Sequence, residues 1–191
     1  MKTSIELVPR TREQLVREIQ EIAQMDIPHD GFNLPELRRK KGVFLSPEEL
    51  IALRAEGVLA PEKALTLHLR TCDLPIDATL RRLQDAARSS VTRALLITGD
   101  HSYGSERRGV FAHELLPHLT ETHDLAIGVG LDPYQPNFGR WPEKIDAIRR
   151  GIVDSVFTQP LFHPSQLDRV LDQTNGTITP SQVFIGSTWV T

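Results

Sequence analysis

The chain has 191 residues, 39% of them hydrophobic and 25% charged, with a formal net charge of −3. These fractions fit a globular chain long enough to bury a sizeable core. The balanced charge leaves no Lys/Arg-rich face of the kind a nucleic acid or an anionic membrane surface needs, so neither is expected as a partner.

Cys72 is the single cysteine, which rules out a disulfide within the chain and fits a reducing, cytoplasmic compartment. The opening Met-Lys-Thr-Ser-Ile-Glu lacks the apolar core of a signal peptide. No apolar run reaches the roughly 18 residues of a membrane span. The histidines do not fall at zinc-ligand spacing, so no metal is expected.

In chain order, Ser4–Val8 reads as a first strand ended by Pro9. Thr11 and Gln14 form a capping box for a helix whose Leu15, Ile19 and Ile22 share one face. Gly31–Leu34 is a second strand, followed by the basic loop Arg38-Arg39-Lys40-Lys41. Ser46-Pro47-Glu48-Glu49 opens a helix: a cap, a proline and a returning glutamate. Ala64–Arg70 is the third strand, and Asp77 caps the helix carrying Leu80, Leu83 and Ala87. Arg93–Thr98 is the fourth strand, and Glu106–Leu119 reads as a helix. Leu125–Val129 is the fifth strand, with a helix near Pro142–Arg150 behind it. Val153–Thr158 is the sixth strand, His163-Pro164 starts another helix, and Val183–Gly186 is the seventh strand.

This alternation predicts βαβ units and a parallel sheet. The expected fold is α/β, a (β/α)8 TIM-type parallel barrel in one domain over 1–191, incomplete at the C-terminal end with about seven strands. Such a barrel usually takes about 250 residues. Its active site would lie at the C-terminal strand ends. Glu6, Asn33, His68, Arg70, Asp100, Asp132 and Gln159 sit on or just after strands and would converge on that mouth. Each has a plainer reading: Glu6 an edge charge, His68 a satisfied core group, Asp100 a helix cap, Asp132 a turn residue and Gln159 a strand end. Two or three carboxylates, a histidine and an amide suit proton transfer to a polar heterocycle without naming the reaction.

Taken in order, four strand ends resemble those of the methylenetetrahydrofolate reductase family: Ser4-Ile5-Glu6-Leu7-Val8-Pro9-Arg10, Leu67-His68-Leu69-Arg70-Thr71-Cys72-Asp73, Leu95-Leu96-Ile97-Thr98-Gly99-Asp100 and Phe157-Thr158-Gln159-Pro160-Leu161-Phe162. The resemblance implies an NAD(P)H-dependent oxidoreductase that reduces methylenetetrahydrofolate through FAD. It implies catalytic roles for Glu6, as proton donor, and Asp100. It implies substrate contacts from Gln159, Asn33 and Phe162, and cofactor contacts from His68, Thr98, Asp132 and Arg149. The chain departs from the family on the flavin-phosphate side. Thr98 stands where the family has arginine, and the basic pair Arg149-Arg150 is displaced by about a helical turn. FAD is therefore expected to bind weakly or not at all. Two further readings are a pterin-binding methyltransferase-type barrel and a non-catalytic barrel subunit of a one-carbon complex. The partners expected are a folate-type small molecule and a further copy of the chain or another subunit.

Overall fold

A computed structural model describes residues 3–25, 27–36, 45–46, 48–99, 109–119, 125–132, 134, 140–161, 163–174 and 176–186. Seven strands form one sheet in sequence order: β1 (Ser4–Glu6), β2 (Gly31–Leu34), β3 (Ala64–Arg70), β4 (Arg93–Ile97), β5 (Ala126–Leu131), β6 (Ser155–Pro160) and β7 (Val183–Gly186). Each strand pairs parallel with the next. Six helices connect them: α1 (Arg12–Gln24), α2 (Glu49–Ala55), α3 (Ile76–Ala87), α4 (Ala112–Leu115), α5 (Trp141–Arg149) and α6 (Pro164–Gln173). Short 3₁₀ turns cover Leu116–His118 and Pro180–Gln182. The curled seven-stranded parallel sheet is the expected incomplete (β/α)8 barrel.

Successive residues of a strand point to opposite faces. One face carries Leu67, Leu69, Ala94, Leu96, Ile127, Val129 and Val156, which pack with Leu83 and Leu115 of the helices into one core cluster. Phe32, Leu34 and Leu65 pack with Leu15, Leu50 and Leu53 into a second. The inner face carries Thr66, His68 and Arg70 of β3, Arg93, Leu95 and Ile97 of β4, and Gly128 and Gly130 of β5. Strand register sets these in layers: His68 beside Leu95, Leu95 beside Gly128, and Gly128 beside Ser155. The sheet curls far enough that the guanidinium of Arg93 on β4 lies 4.6 Å over the Phe184 ring of β7.

Local chemistry explains most element boundaries. Thr11 caps α1 by accepting the Gln14 N–H, as its sequence predicts. His163 opens α6, accepting the Ser165 N–H. The helix expected over Glu106–Leu119 is much shorter. Gly109 and Val110 donate their N–H groups to the carbonyls of Cys72 and Thr71, which holds that segment out of helical geometry until Ala112. The start of α2 also moves: Glu48, paired with Arg82 at 2.6 Å, takes the cap position in place of Ser46, and Glu49 lies against Arg12 Nη1 at 3.4 Å. Asp77 lies in the first turn of α3, where a carboxylate suits the helix dipole, rather than at its cap.

Gly31 marks the tightest approach between β2 and β3. A Cβ there would stand 2.2 Å from the Ala64 carbonyl oxygen and 2.8 Å from the Ala64 Cβ. Backbone on both sides leaves no flexible group to yield. Gly31→Ala is expected to cost about 3 kcal/mol, at the upper end of overpacking losses. Urea unfolding measures it, and an unchanged midpoint would contradict this packing.

Candidate functional site at the barrel mouth

The C-terminal ends of β3 to β6 open into a cavity of about 660 Å³. That volume lies within the roughly 300–1,000 Å³ of small-molecule sites. Arg70, Thr98, His113, Asp132, Lys144 and Gln159 are among its lining.

The floor is rigid. Arg70 is buried, its Nε donating to Asp73 Oδ2 at 2.6 Å, while its backbone N–H donates to Glu36 Oε2 at 2.7 Å. Gly99 adopts φ +91 and has no Cβ where one would fall 2.6 Å from the Arg70 Cζ, so a glycine is what admits the guanidinium. The second carboxylate oxygen of Glu36 takes Arg82 Nη1 at 2.8 Å. Arg70 and Glu36 are therefore held by ion pairs on the protein side.

The wall is reactive. Lys144 projects from α5 into the cavity, and its Nζ donates to the Gly130 carbonyl at 2.6 Å. Loss of hydration disfavours the ammonium and brings its pKa down to about 8, against smaller opposing pulls from Glu143 and Asp132. At pH 7 roughly a tenth is then free amine, against well under a thousandth for an ordinary lysine, and that fraction is available as nucleophile or base. His113 lines the same cavity from α4, its ring stacked on Phe111 at 5.6 Å between centroids. Burial lowers its pKa; Glu143 and Glu114 pull against that, and the smaller effects of Arg140 and Lys144 act with it. Its imidazole is the neutral base of the mouth. Thr98 accepts the Ala112 N–H at 3.2 Å and so fixes the start of α4 that carries His113. Arg140, at the cap of α5, takes the left-handed conformation (φ 63), which costs an L-residue about 1–2 kcal/mol.

The structure brings together only part of the expected site. Gln159, Thr98 and Asp132 line the mouth. Asp132 closes its own turn, accepting the Tyr134 N–H at 2.9 Å. Glu6 ends β1 on the inner face, opposite the Asn33 position, and surrounding chain raises its pKa by loss of hydration although the residue is exposed. Asn33 is buried beside it, its Oδ1 accepting from Ser4 Oγ at 2.7 Å. Glu6, Asn33 and His68 sit below the mouth rather than on its lining. Arg149 lies exposed on α5 and hydrogen-bonds Thr177 at 3.4 Å, away from the cavity. Asp100 and Phe162 lie outside the described residues. Among the described residues no cluster of His, Cys, Asp or Glu could hold a metal ion, and no helix is long and apolar enough to cross a membrane.

Lys144, His113 and Arg140 are the residues that sequence reasoning missed. The signal was there for Lys144. It falls three residues after Trp141 and four before Ile148, on the stripe that α5 turns toward the core.

No protein-family model and no curated protein matches the chain. Solved structures do. A tetrameric deoxyribose phosphate aldolase from Aeropyrum pernix superposes with TM-score 0.58 at 14% identity, over 92% of this chain and 71% of that one. A protein described as QR15, an aldolase, gives 0.60 at 10% identity, over 96% and 77%. A 2,3-dimethylmalate lyase of the PEP mutase/isocitrate lyase superfamily gives 0.58 at 10% identity, over 95% and 69%. At such identities these likenesses establish the barrel fold.

They also correct the family reading. The solved barrels that this chain is similar to include aldolases, a lyase and an endonuclease IV from Thermus thermophilus, and not a methylenetetrahydrofolate reductase. The folate-reducing oxidoreductase expected from the strand ends is withdrawn with that resemblance. The physical reason is that the matched segments are apolar strands ending in one or two polar residues. A parallel barrel requires that pattern at its mouth whatever its chemistry.

His68 supplies a test of the barrel interior. It is 6% exposed, its Nε2 has no hydrogen-bond partner among the described residues, and burial lowers its pKa from 6.5 to about 4. The unfolded chain then binds more protons than the folded one between these values. Stability should therefore rise with pH from about 4 to 6.5, by about 3 kcal/mol over the window. Denaturant unfolding at several pH values should show a rise in the wild type that exceeds the rise in His68→Leu by about this amount. Parallel profiles would contradict the buried neutral imidazole.

Proposed function

We propose that the chain is an enzyme of carbonyl chemistry, an aldolase- or lyase-type barrel in which Lys144 forms an imine with a small oxo compound. The observation that carries this reading is the Lys144 amine: it faces a cavity of small-molecule size with its pKa brought down to about 8. The aldolase and lyase activities of similarly folded barrels support the same class.

The chemistry balances without a redox partner. The free amine attacks the carbonyl carbon, an N–C bond forms, and the former carbonyl oxygen takes a proton. A second proton, taken from solvent, lets that oxygen leave as water, and a protonated imine remains. That cation draws electrons from the adjacent carbon, so a C–H or C–C bond there breaks with its electron pair retained as an enamine. The neutral imidazole of His113 takes the proton released. Asp132 and Gln159 offer polar contacts to the substrate's hydroxyl or oxo groups, and Arg140 offers a cation to an anionic end.

Borohydride reduction traps imines as stable amines. Incubation with short aldehydes and 2-oxo acids, then borohydride, should add the substrate mass less one oxygen to the peptide containing Lys144, because imine formation loses water and reduction adds two hydrogens. Lys144→Met should lose the adduct entirely while remaining folded. Absence of any adduct across the panel, or labelling that persists in Lys144→Met, would refute imine formation at this residue.

A further inference from the structure

A second cavity, of about 410 Å³, opens at the opposite, N-terminal end of the barrel. The starts of β1 to β4 form its walls, and Phe184 of β7 closes it from across the barrel. Layers of inner-face side chains, including His68 and Leu95, separate it from the mouth.

Its charges are arranged by depth. Arg93 lies with its guanidinium over the Phe184 ring, and its Nε is buried without a hydrogen-bond partner among the described residues. Loss of hydration works against the guanidinium there, with Asp154 only partly offsetting it. A guanidinium over a ring face spends none of its N–H donors on the ring, and their fork matches a carboxylate. Thr66 is its neighbour in register on β3. At the rim stand two exposed carboxylates, Asp30 and Glu62, of which Asp30 Oδ2 accepts the Thr3 N–H at 2.6 Å. A cation at depth and anions at the rim would repel a phosphate dianion on entry. They match a molecule with an anionic head and a cationic tail.

We propose that this cavity is a second binding site, for a small zwitterion of the amino-acid class. Its carboxylate meets the N–H edge of Arg93, and its ammonium lies between Asp30 and Glu62. The site is independent of the chemistry at Lys144.

Isothermal titration calorimetry on the full chain tests this, with the common amino acids, their des-amino carboxylates, their amides and inorganic phosphate as probes. At least one amino acid should bind. Its des-amino and amide forms should each bind about tenfold more weakly or worse, the loss of one charge contact of about 1.4 kcal/mol. Arg93→Met should abolish binding while keeping an apolar chain on Phe184. Arg93→Lys serves if that variant fails to fold: it retains the cation and loses the planar N–H edge, so binding should weaken likewise. Asp30→Asn should weaken binding, and Lys144→Met at the mouth should leave it unchanged. The proposal is overturned if no amino acid binds, if phosphate or the des-amino acid binds as tightly, if binding survives both Arg93 substitutions, or if Lys144→Met removes it.

Discussion

The strands of this sheet send alternate side chains to a helix-covered face and to the concave interior of the curl, and period-two alternation has to satisfy both. The helix side is solved with leucine, alanine and valine: Leu67, Leu69, Ala94, Leu96 and Val129 are at most 2% exposed. The interior is solved with a mixture of sizes. β5 contributes no side chain at Gly128, where a Cβ would fall 2.7 Å from the Phe157 ring of β6. Phe157 in turn stacks on Phe184 at 4.4 Å. Large residues on β6 and β7 thus fill space that β5 leaves empty. The curl that results aims the C-terminal strand ends at one cavity and the N-terminal ends at another.

Much of this was readable because burial on two faces leaves a strong sequence signal. Ala64–Arg70, Gly31–Leu34 and Val183–Gly186 are strands with the boundaries that their patterns predict. The His163-Pro164 start of α6 also follows from local chemistry. What stayed illegible depends on contacts distant in sequence. The apolar spacing of Glu106–Leu119 is helical, yet Gly109 lies so close to Thr71 and Leu74 that a Cβ would come within 2.1 Å of both carbonyl oxygens. Tertiary hydrogen bonds there override the local preference. Glu49, expected to return to the helix cap, instead pairs with Arg12, 37 positions away. Neither event leaves a mark within a short window of sequence.

The site was half legible for a related reason. Residues on strand ends are placed by the fold, so Thr98, Asp132 and Gln159 could be located by counting strands. The groups that set the chemistry come from helices. Lys144 reaches the mouth because Trp141, Ala147 and Ile148 bury the same side of α5 and carry the lysine inward with them. Loss of hydration then turns a surface-type cation into an amine of near-neutral pKa. The short strand-end segments that resemble a folate reductase report the architecture, whereas Lys144, His113 and Arg140 distinguish this mouth.

The account rests on the ionisation of Lys144. Carbon-13 NMR of protein labelled at the lysine ε-carbon reads it directly, with the Lys144 resonance assigned by its absence in Lys144→Met. A titration midpoint near 8 for that resonance, well below the ordinary lysine value of 10.5, is the predicted result. A Lys144 midpoint at the ordinary value would mean a hydrated ammonium at neutral pH, and the imine chemistry proposed for the mouth would lose its nucleophile.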